Sequence, residues 1–204
     1  MFNQLHRMCF VMALLAVPVL SAEELERQRL QGTIDATLDV LYGAADISFD
    51  EKQGKVREIL EENYDLDVMI RRAIGRNWRL MSELEQVRVL ELVRQLVLKA
   101  YIKALEGKDR PVVNLGEEIL ISDKRMEIES TVLLGEQNFY ILYRLGRMRS
   151  GWQIYDIVAE SSISVVSNYR QQFDDHFRKG SGAELITRLE DLLQQDVINE
   201  ETKI

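Results

Sequence analysis

Residues 82–106 read SELEQVRVLELVRQLVLKAYIKALE, and this stretch decides the architecture. Ser82 followed three residues later by Glu85 is a capping box, so a helix starts here. Its polar positions, Arg88, Glu91, Gln95, Lys99, Lys103 and Glu106, recur at helical spacing and form one narrow ribbon. Arg94 is the main departure from it. Nearly all the rest is apolar, from Val87 through Val93, Val97 and Tyr101 to Leu105. An ordinary surface helix buries roughly a third of its circumference. This helix is apolar over well more than half of it, so it must lie between layers or line something apolar.

Beyond it the period changes. After Gly107 and Pro111, alternation replaces helical spacing. Val113, Leu115, Ile119 and Ile121 predict a first strand with a bulge at Gly116. Met126, Ile128, Ser130, Val132 and Leu134 alternate with Glu127, Glu129, Thr131 and Leu133 in a second. Phe139–Leu145 and Trp152–Ala159 predict a third and a fourth, joined by the turns 135–138 and 146–151. Links this short predict an antiparallel meander. Helical spacing returns over 163–178 and 183–194, around Val166, Tyr169, Phe173, Leu185, Leu189 and Leu192.

Upstream, Leu30, Ile34, Leu38 and Leu41 make a helical stripe. Asp50 with Gln53 predicts a second helix start, and Asp65 a third, whose stripe runs Leu66, Met69, Ile70, Ala73, Ile74 and Trp78. Helices, four strands, then helices specify an α+β fold: helices packed on one face of a curved four-stranded antiparallel sheet, with an apolar pocket between the layers. Residues 23–196 are read as a single domain and 197–204 as a polar tail.

Residues 1–22 have the layout of an export signal. Arg7 is basic, Met8–Val17 is apolar, Pro18 breaks the run, and Ser21 and Ala22 are small. The run is about half the roughly twenty residues that a membrane span needs. Cleavage is expected after Ser21 or Ala22, although Leu20 is bulky for such a site. Cys9, the sole cysteine, opens the apolar run and does not follow it, so it is no lipoprotein cysteine. Its removal excludes disulfides and cysteine-bound metal. Arg7 is the one charge lost, which makes the mature chain one unit more negative than the −8 of the full sequence. That balance argues against nucleic acid and against electrostatic docking on anionic lipid heads.

Groups able to do chemistry are few. His176 alone of the two histidines lies beyond residue 22, in the charged run Asp174-Asp175-His176-Phe177-Arg178, and reads as a solvated surface residue. No second histidine completes a metal site of the usual kind. Ser161, Ser162, Ser164 and Ser167 lack the Gly-x-Ser-x-Gly frame of a nucleophile elbow. Gly180-Ser181-Gly182 is too short to cradle phosphate. Glu127 and Glu129 share the outward face of a strand. Tyr155 and Asp156, a phenol and a carboxylate, are neighbours on a strand and so point to opposite faces. Arg144, Arg147 and Arg149 read as one exposed basic hairpin. The chain is therefore read as no enzyme, with no cofactor and no metal.

An ordered set of segments resembles the MlaC-type phospholipid-binding proteins, the toluene-tolerance auxiliary family of an ABC lipid transport system. It comprises Tyr64-Asp65-Leu66-Asp67-Val68-Met69, Ile74-Gly75-Arg76-Asn77-Trp78, Leu80 with Ser82-Glu83, and the helix Val89–Leu105 containing Tyr101. Gly151-Trp152-Gln153-Ile154-Tyr155-Asp156-Ile157-Val158-Ala159-Glu160 follows, then Ser164, Asn168-Tyr169-Arg170 and Gln172-Phe173. The likeness covers about residues 30 to 193. It departs at Ser161-Ser162, where the family usually has glycine. The resemblance implies a cystatin-like, NTF2-like sheet around an apolar pocket. It also implies a periplasmic shuttle for phospholipid and a role in outer-membrane lipid asymmetry. The implied partners are an inner-membrane ABC transporter with a membrane-anchored ring protein, and an outer-membrane lipoprotein–porin complex. Relatives tied to hopanoid transport keep an isoprenoid lipid open as the ligand, and a filled core would leave a non-carrier interaction module. The expected lining is Leu66, Met69, Ile70, Ile74, Val93, Val97 and Tyr101 on helices, with Met126, Ile128, Val132 and Tyr143 on strands.

Overall fold

The computed structural model describes residues 21–43, 47–159 and 163–195. The export segment up to Leu20 and the tail 197–204 lie outside the described residues. Helices α1 (Ala22–Tyr42), α2 (Phe49–Asn63) and α3 (Leu66–Ile74) come first. A 3₁₀ turn, Gly75–Leu80, leads to α4 (Glu83–Leu105). Strands β1 (Val112–Ser122), β2 (Arg125–Leu134), β3 (Gln137–Met148) and β4 (Gly151–Ala159) follow, then the two-residue β5 (Ile163–Ser164), α5 (Val165–Phe177) and α6 (Gly182–Gln194).

The capping box of α4 is present with both its bonds, Ser82 with Glu85. Two helix boundaries differ from expectation. α2 starts one residue before Asp50, because the Ser48 hydroxyl accepts the Glu51 N–H at 3.2 Å. Asp50 lies in the first turn instead, where a carboxylate favours the helix dipole. α3 stops at Ile74, because Gly75 takes φ +61°, a left-handed conformation that only glycine adopts cheaply. Trp78 therefore stands on the 3₁₀ turn and not on the α3 stripe.

The sheet runs β1-β2-β3-β4-β5 in sequence order, antiparallel throughout. The bulge at Gly116 is there: pairing passes from Leu115–Ser130 to Glu118–Ile128. A second bulge falls at Tyr155, between the pairs Leu145–Ile154 and Arg144–Asp156. Bulges bend the strands that carry them, which curves the sheet. The short fifth strand occupies the segment expected as the start of a helix. Ser164 closes it and caps α5, accepting the Ser167 N–H at 3.0 Å.

One sheet face is covered by α1. Leu30 and Ile34 meet Met126, Ile128, Leu145 and Trp152, with Tyr64 at the edge. Beneath Tyr64 the Arg29 guanidinium ties three elements together. It donates to Glu26 at 2.5 Å, to the Asn63 carbonyl at 2.8 Å and to the Trp152 carbonyl at 2.6 Å. The opposite face carries Glu127, Glu129 and Arg144. Arg144 is no hairpin residue: it lies within β3, 3.1 Å from Glu127 and 3.3 Å from Asp156. Arg147 and Arg149 are exposed as expected.

A second cluster is all helical. Ile74, Val89, Leu92, Phe173, Leu185 and Leu189 have almost no exposed surface and join α3, α4, α5 and α6. The polar ribbon of α4 runs along α6. Arg88 pairs with Glu190 at 2.6 Å, and the Lys99 ammonium reaches the Leu193 and Gln195 carbonyls at 2.7 Å each, closing the end of α6. α4 packs chiefly on α6, then on α3 and α2, whereas α1, α3 and α5 make the close approach to the sheet.

Candidate functional site

The α4 helix meets α3 and α5 without closing on them. Leu66, Met69, Ile70 and Ala73 from α3, Val93, Arg94, Val97 and Ala100 from α4, and Val165, Val166, Tyr169 and Phe173 from α5 bound an open groove of about 180 Å³. Eleven of these twelve side chains carry no formal charge, and Arg94 is the exception. Five of the sequence-predicted lining residues meet here: Leu66, Met69, Ile70, Val93 and Val97.

The other six lie elsewhere. Ile74 has no exposed surface and sits in the helical core behind the groove. Met126 and Ile128 are equally closed, under α1. Tyr143 packs against that cluster, and Val132 is half-buried on the same sheet face. Tyr101 stands one turn beyond Val97 on α4.

Val97 and Tyr101 are 44% and 40% exposed, on the side of α4 opposite its polar ribbon. Tyr101 is nevertheless hemmed in by protein. Burial first, then the neighbouring Tyr143 and Tyr42, pushes its phenol up to about 12. Burial likewise raises Tyr143. Tyr143, half-buried on the sheet, is near enough to act on the Tyr101 phenol, so this side of α4 looks towards the sheet.

Charge is confined to one edge. Arg94 Nη2 donates to Asp67 Oδ1 at 2.8 Å, and its Nε lies 3.6 Å from Glu61. Arg71 reaches the other Asp67 oxygen at 3.1 Å. Burial alone would lower the Arg94 guanidinium. The Asp67 hydrogen bond and the charges of Asp67, Glu61 and Asp65 outweigh it and leave it above its usual value.

The remaining chemical candidates are absorbed by structure. His176 Nε2 sits 3.0 Å from the Ser181 carbonyl, with its ring edge-on to Phe177 at 5.2 Å. Asp175 pairs with Arg178 at 2.8 Å and not with His176. Asp156 accepts from the Ser164 hydroxyl at 2.9 Å and from the Val166 N–H at 3.2 Å, which anchors α5 to the sheet. Tyr155 lies instead under the Arg72 guanidinium, 4.5 Å from its ring centre. Ser181 and Glu184 form the capping box of α6. Ser161 and Ser162 lie outside the described residues. Among the described residues no cluster of three or more His, Cys, Asp or Glu side chains could hold a metal, and no helix is long and apolar enough to cross a membrane.

Sequence reading missed Ala73, Arg94, Ala100 and the whole α5 wall. The stripe Val166, Tyr169, Phe173 was visible as an apolar face. Its apposition to α3 depends on a chain reversal about a hundred residues long, as in the Arg170 bond to the Arg72 carbonyl.

Comparison with known proteins agrees with this fold. The family model described as MlaC protein matches residues 31–191. A phospholipid-binding protein from Ralstonia solanacearum, solved in complex with a phospholipid, superposes with a TM-score of 0.73 at 20% identity, over 85% of this chain and 97% of that one. A cystatin-like domain of unknown function from Nostoc punctiforme reaches a TM-score of only 0.28 at 20% identity, over 52% of this chain and 66% of that one, too little to bear on the fold. No curated protein matches the chain.

Proposed function

The chain belongs to the MlaC protein family, and on that premise we propose that it is a periplasmic phospholipid carrier and no enzyme. The observation that supports this most is the free face of α4. Val97 and Tyr101 keep large apolar surfaces exposed within a few residues of Leu92 and Leu98, which are fully packed.

The physical demand on a carrier is severe. Each methylene brought into water costs about 0.8 kcal/mol, so two chains of roughly thirty methylenes cost on the order of 25 kcal/mol. The protein must offset nearly all of that, yet bind little more tightly than a bilayer, or release fails. An apolar wall meets this requirement for the acyl chains. The groove of about 180 Å³ would take part of one acyl chain. The rest of the lipid would lie along Val97, Tyr101 and the half-buried Tyr143, with the layers easing apart to admit it.

In this reading the export segment is cleaved after Ser21 or Ala22. The carrier then exchanges phospholipid with an inner-membrane ABC transporter and its ring protein on one side, and with an outer-membrane lipoprotein–porin complex on the other. That traffic would maintain outer-membrane lipid asymmetry. The test is to recover the protein from a periplasmic extract, sequence its N-terminus and identify extracted lipid by mass spectrometry. A start at Ala22 or Glu23 with stoichiometric phospholipid is expected. Intact Met1 protein in the cytoplasm would sink the localisation. A lipid-free periplasmic protein that takes up none from vesicles would sink the carrier.

A further inference from the structure

Arg94 is the residue that the carrier reading leaves unexplained. It interrupts the apolar side of α4 and is the sole charged residue lining the groove. A charge at an apolar wall is costly unless it is paired and solvated at its tip. The Arg94 stem can cover apolar surface while its head stays at the edge. There it meets two carboxylates from two other helices, Asp67 of α3 and Glu61 of α2, and Arg71 stands on the far side of Asp67. Arg71, Asp67, Arg94 and Glu61 thus alternate in sign at the groove's edge, and Asp65 adds a third carboxylate near Arg94. The Arg94 and Asp67 side chains are only 26% and 18% exposed, whereas Glu61 is 43% exposed and open to an incoming group.

The guanidinium is not saturated. It makes one hydrogen bond, from Nη2, and the Glu61 oxygen at 3.6 Å from Nε is an ion pair beyond hydrogen-bonding reach. Nε–H and the Nη1 donors can therefore still engage a phosphodiester, for which the planar fork is well shaped. A phosphate placed there lies beside Glu61 and Asp67. A headgroup that also carries an ammonium would place that cation on the carboxylates and add no net charge to the cluster. A headgroup with the phosphate alone would add an unanswered negative charge next to two others.

We propose that Arg94, with Glu61 and Asp67, forms a headgroup site that selects zwitterionic, ammonium-bearing phospholipids over anionic ones. The proposal rests on the carrier reading and adds specificity to it.

The test uses the exported protein, stripped of lipid and incubated with vesicles holding equal amounts of phosphatidylethanolamine and phosphatidylglycerol of identical acyl chains. The protein is then re-isolated and both lipids are counted by mass spectrometry. Wild type should enrich phosphatidylethanolamine about tenfold, the size of one charge pair at a partly buried site. Glu61→Gln should bring the ratio close to one by gaining phosphatidylglycerol. Arg94→Gln should lower retention of both. Should Asp67→Asn or Arg94→Gln fail to fold, the half-exposed Glu61→Gln still decides the matter. Equal uptake of both lipids by wild type, or an unchanged ratio in Glu61→Gln, would overturn the headgroup site and leave the carrier standing. Uptake of neither lipid by wild type would overturn both.

Discussion

Two sides of one helix divide the labour of this molecule. On its flank, Leu92 and Leu96 of α4 are pressed against α6, where Leu185 and Leu189 have no exposed surface. On its face, Val97 and Tyr101 stand opposite the polar ribbon and remain open. Both sides are equally apolar in composition. They differ in what lies across from them: a sixth helix tied down by Arg88–Glu190 and the Lys99 ammonium, or a groove held short of closure by α3 and α5. Apolar character alone therefore does not distinguish a closed core from an open groove. The partner element does.

The largest effect should come from breaking the flank. Leu92→Ala removes a fully packed side chain and should cost about 2–5 kcal/mol in denaturant unfolding of delipidated protein. The lipid held per folded molecule should stay constant. If lipid content fell in step with stability, flank and face would be one unit. Val97→Asp is the complementary probe. Its carboxylate can be hydrated in the empty protein, so stability should fall by only about 1 kcal/mol, an ordinary value for a point substitution. Lipid recovered on purification should nearly vanish, because a charge would face acyl chains. Unfolding of that variant would place Val97 in the core.

Tyr101 sharpens the same contrast by titration. Its phenol is raised to about 12 in the fold, against about 10 when unfolded. A raised folded pKa stabilises the protein while the group stays neutral. That contribution is fully present below pH 10 and disappears as pH climbs to 12. Tyr101→Phe should therefore lose less stability than wild type between pH 10 and 12, followed by thermal unfolding. A phenolate signal from Tyr101 near pH 10 would mean that the wall is fully wetted. The smallest effect belongs to His176→Ala, which removes one bond to the Ser181 carbonyl. Stability should move by about 0.5 kcal/mol and lipid retention should not change. Loss of function from a folded His176→Ala protein would reopen the case for an enzyme.

The layout of elements was legible because periodicity is a local property. The capping box at Ser82, the bulge at Gly116 and the meander follow from residues a few positions apart. Asp50 misled because two good capping residues stand two apart, and backbone geometry chose Ser48. The groove was half legible. Leu66, Met69, Ile70, Val93 and Val97 belong to stripes on α3 and α4 that any amphipathic reading finds. Met126 and Ile128 share that signature, but α1 covers them and their surface is closed. Which stripe ends in a wall and which in a core is decided by contacts spanning scores of residues, and no local pattern carries that.

The order of the strands has a consequence in time. Each of the five strands pairs with its sequence neighbour, so every rung of the sheet closes a short loop of chain. Contacts of that kind form early and fast. The groove is built the other way: α5 arrives about a hundred residues after α3, and Arg88 waits for Glu190. A chain emerging N-terminus first can lay down its whole meander while α4 has only α2 and α3 to rest on. The groove is closed in only when α5 arrives with Val165–Phe173, and until then the apolar side of α4 that faces it is the stickiest part of the growing chain.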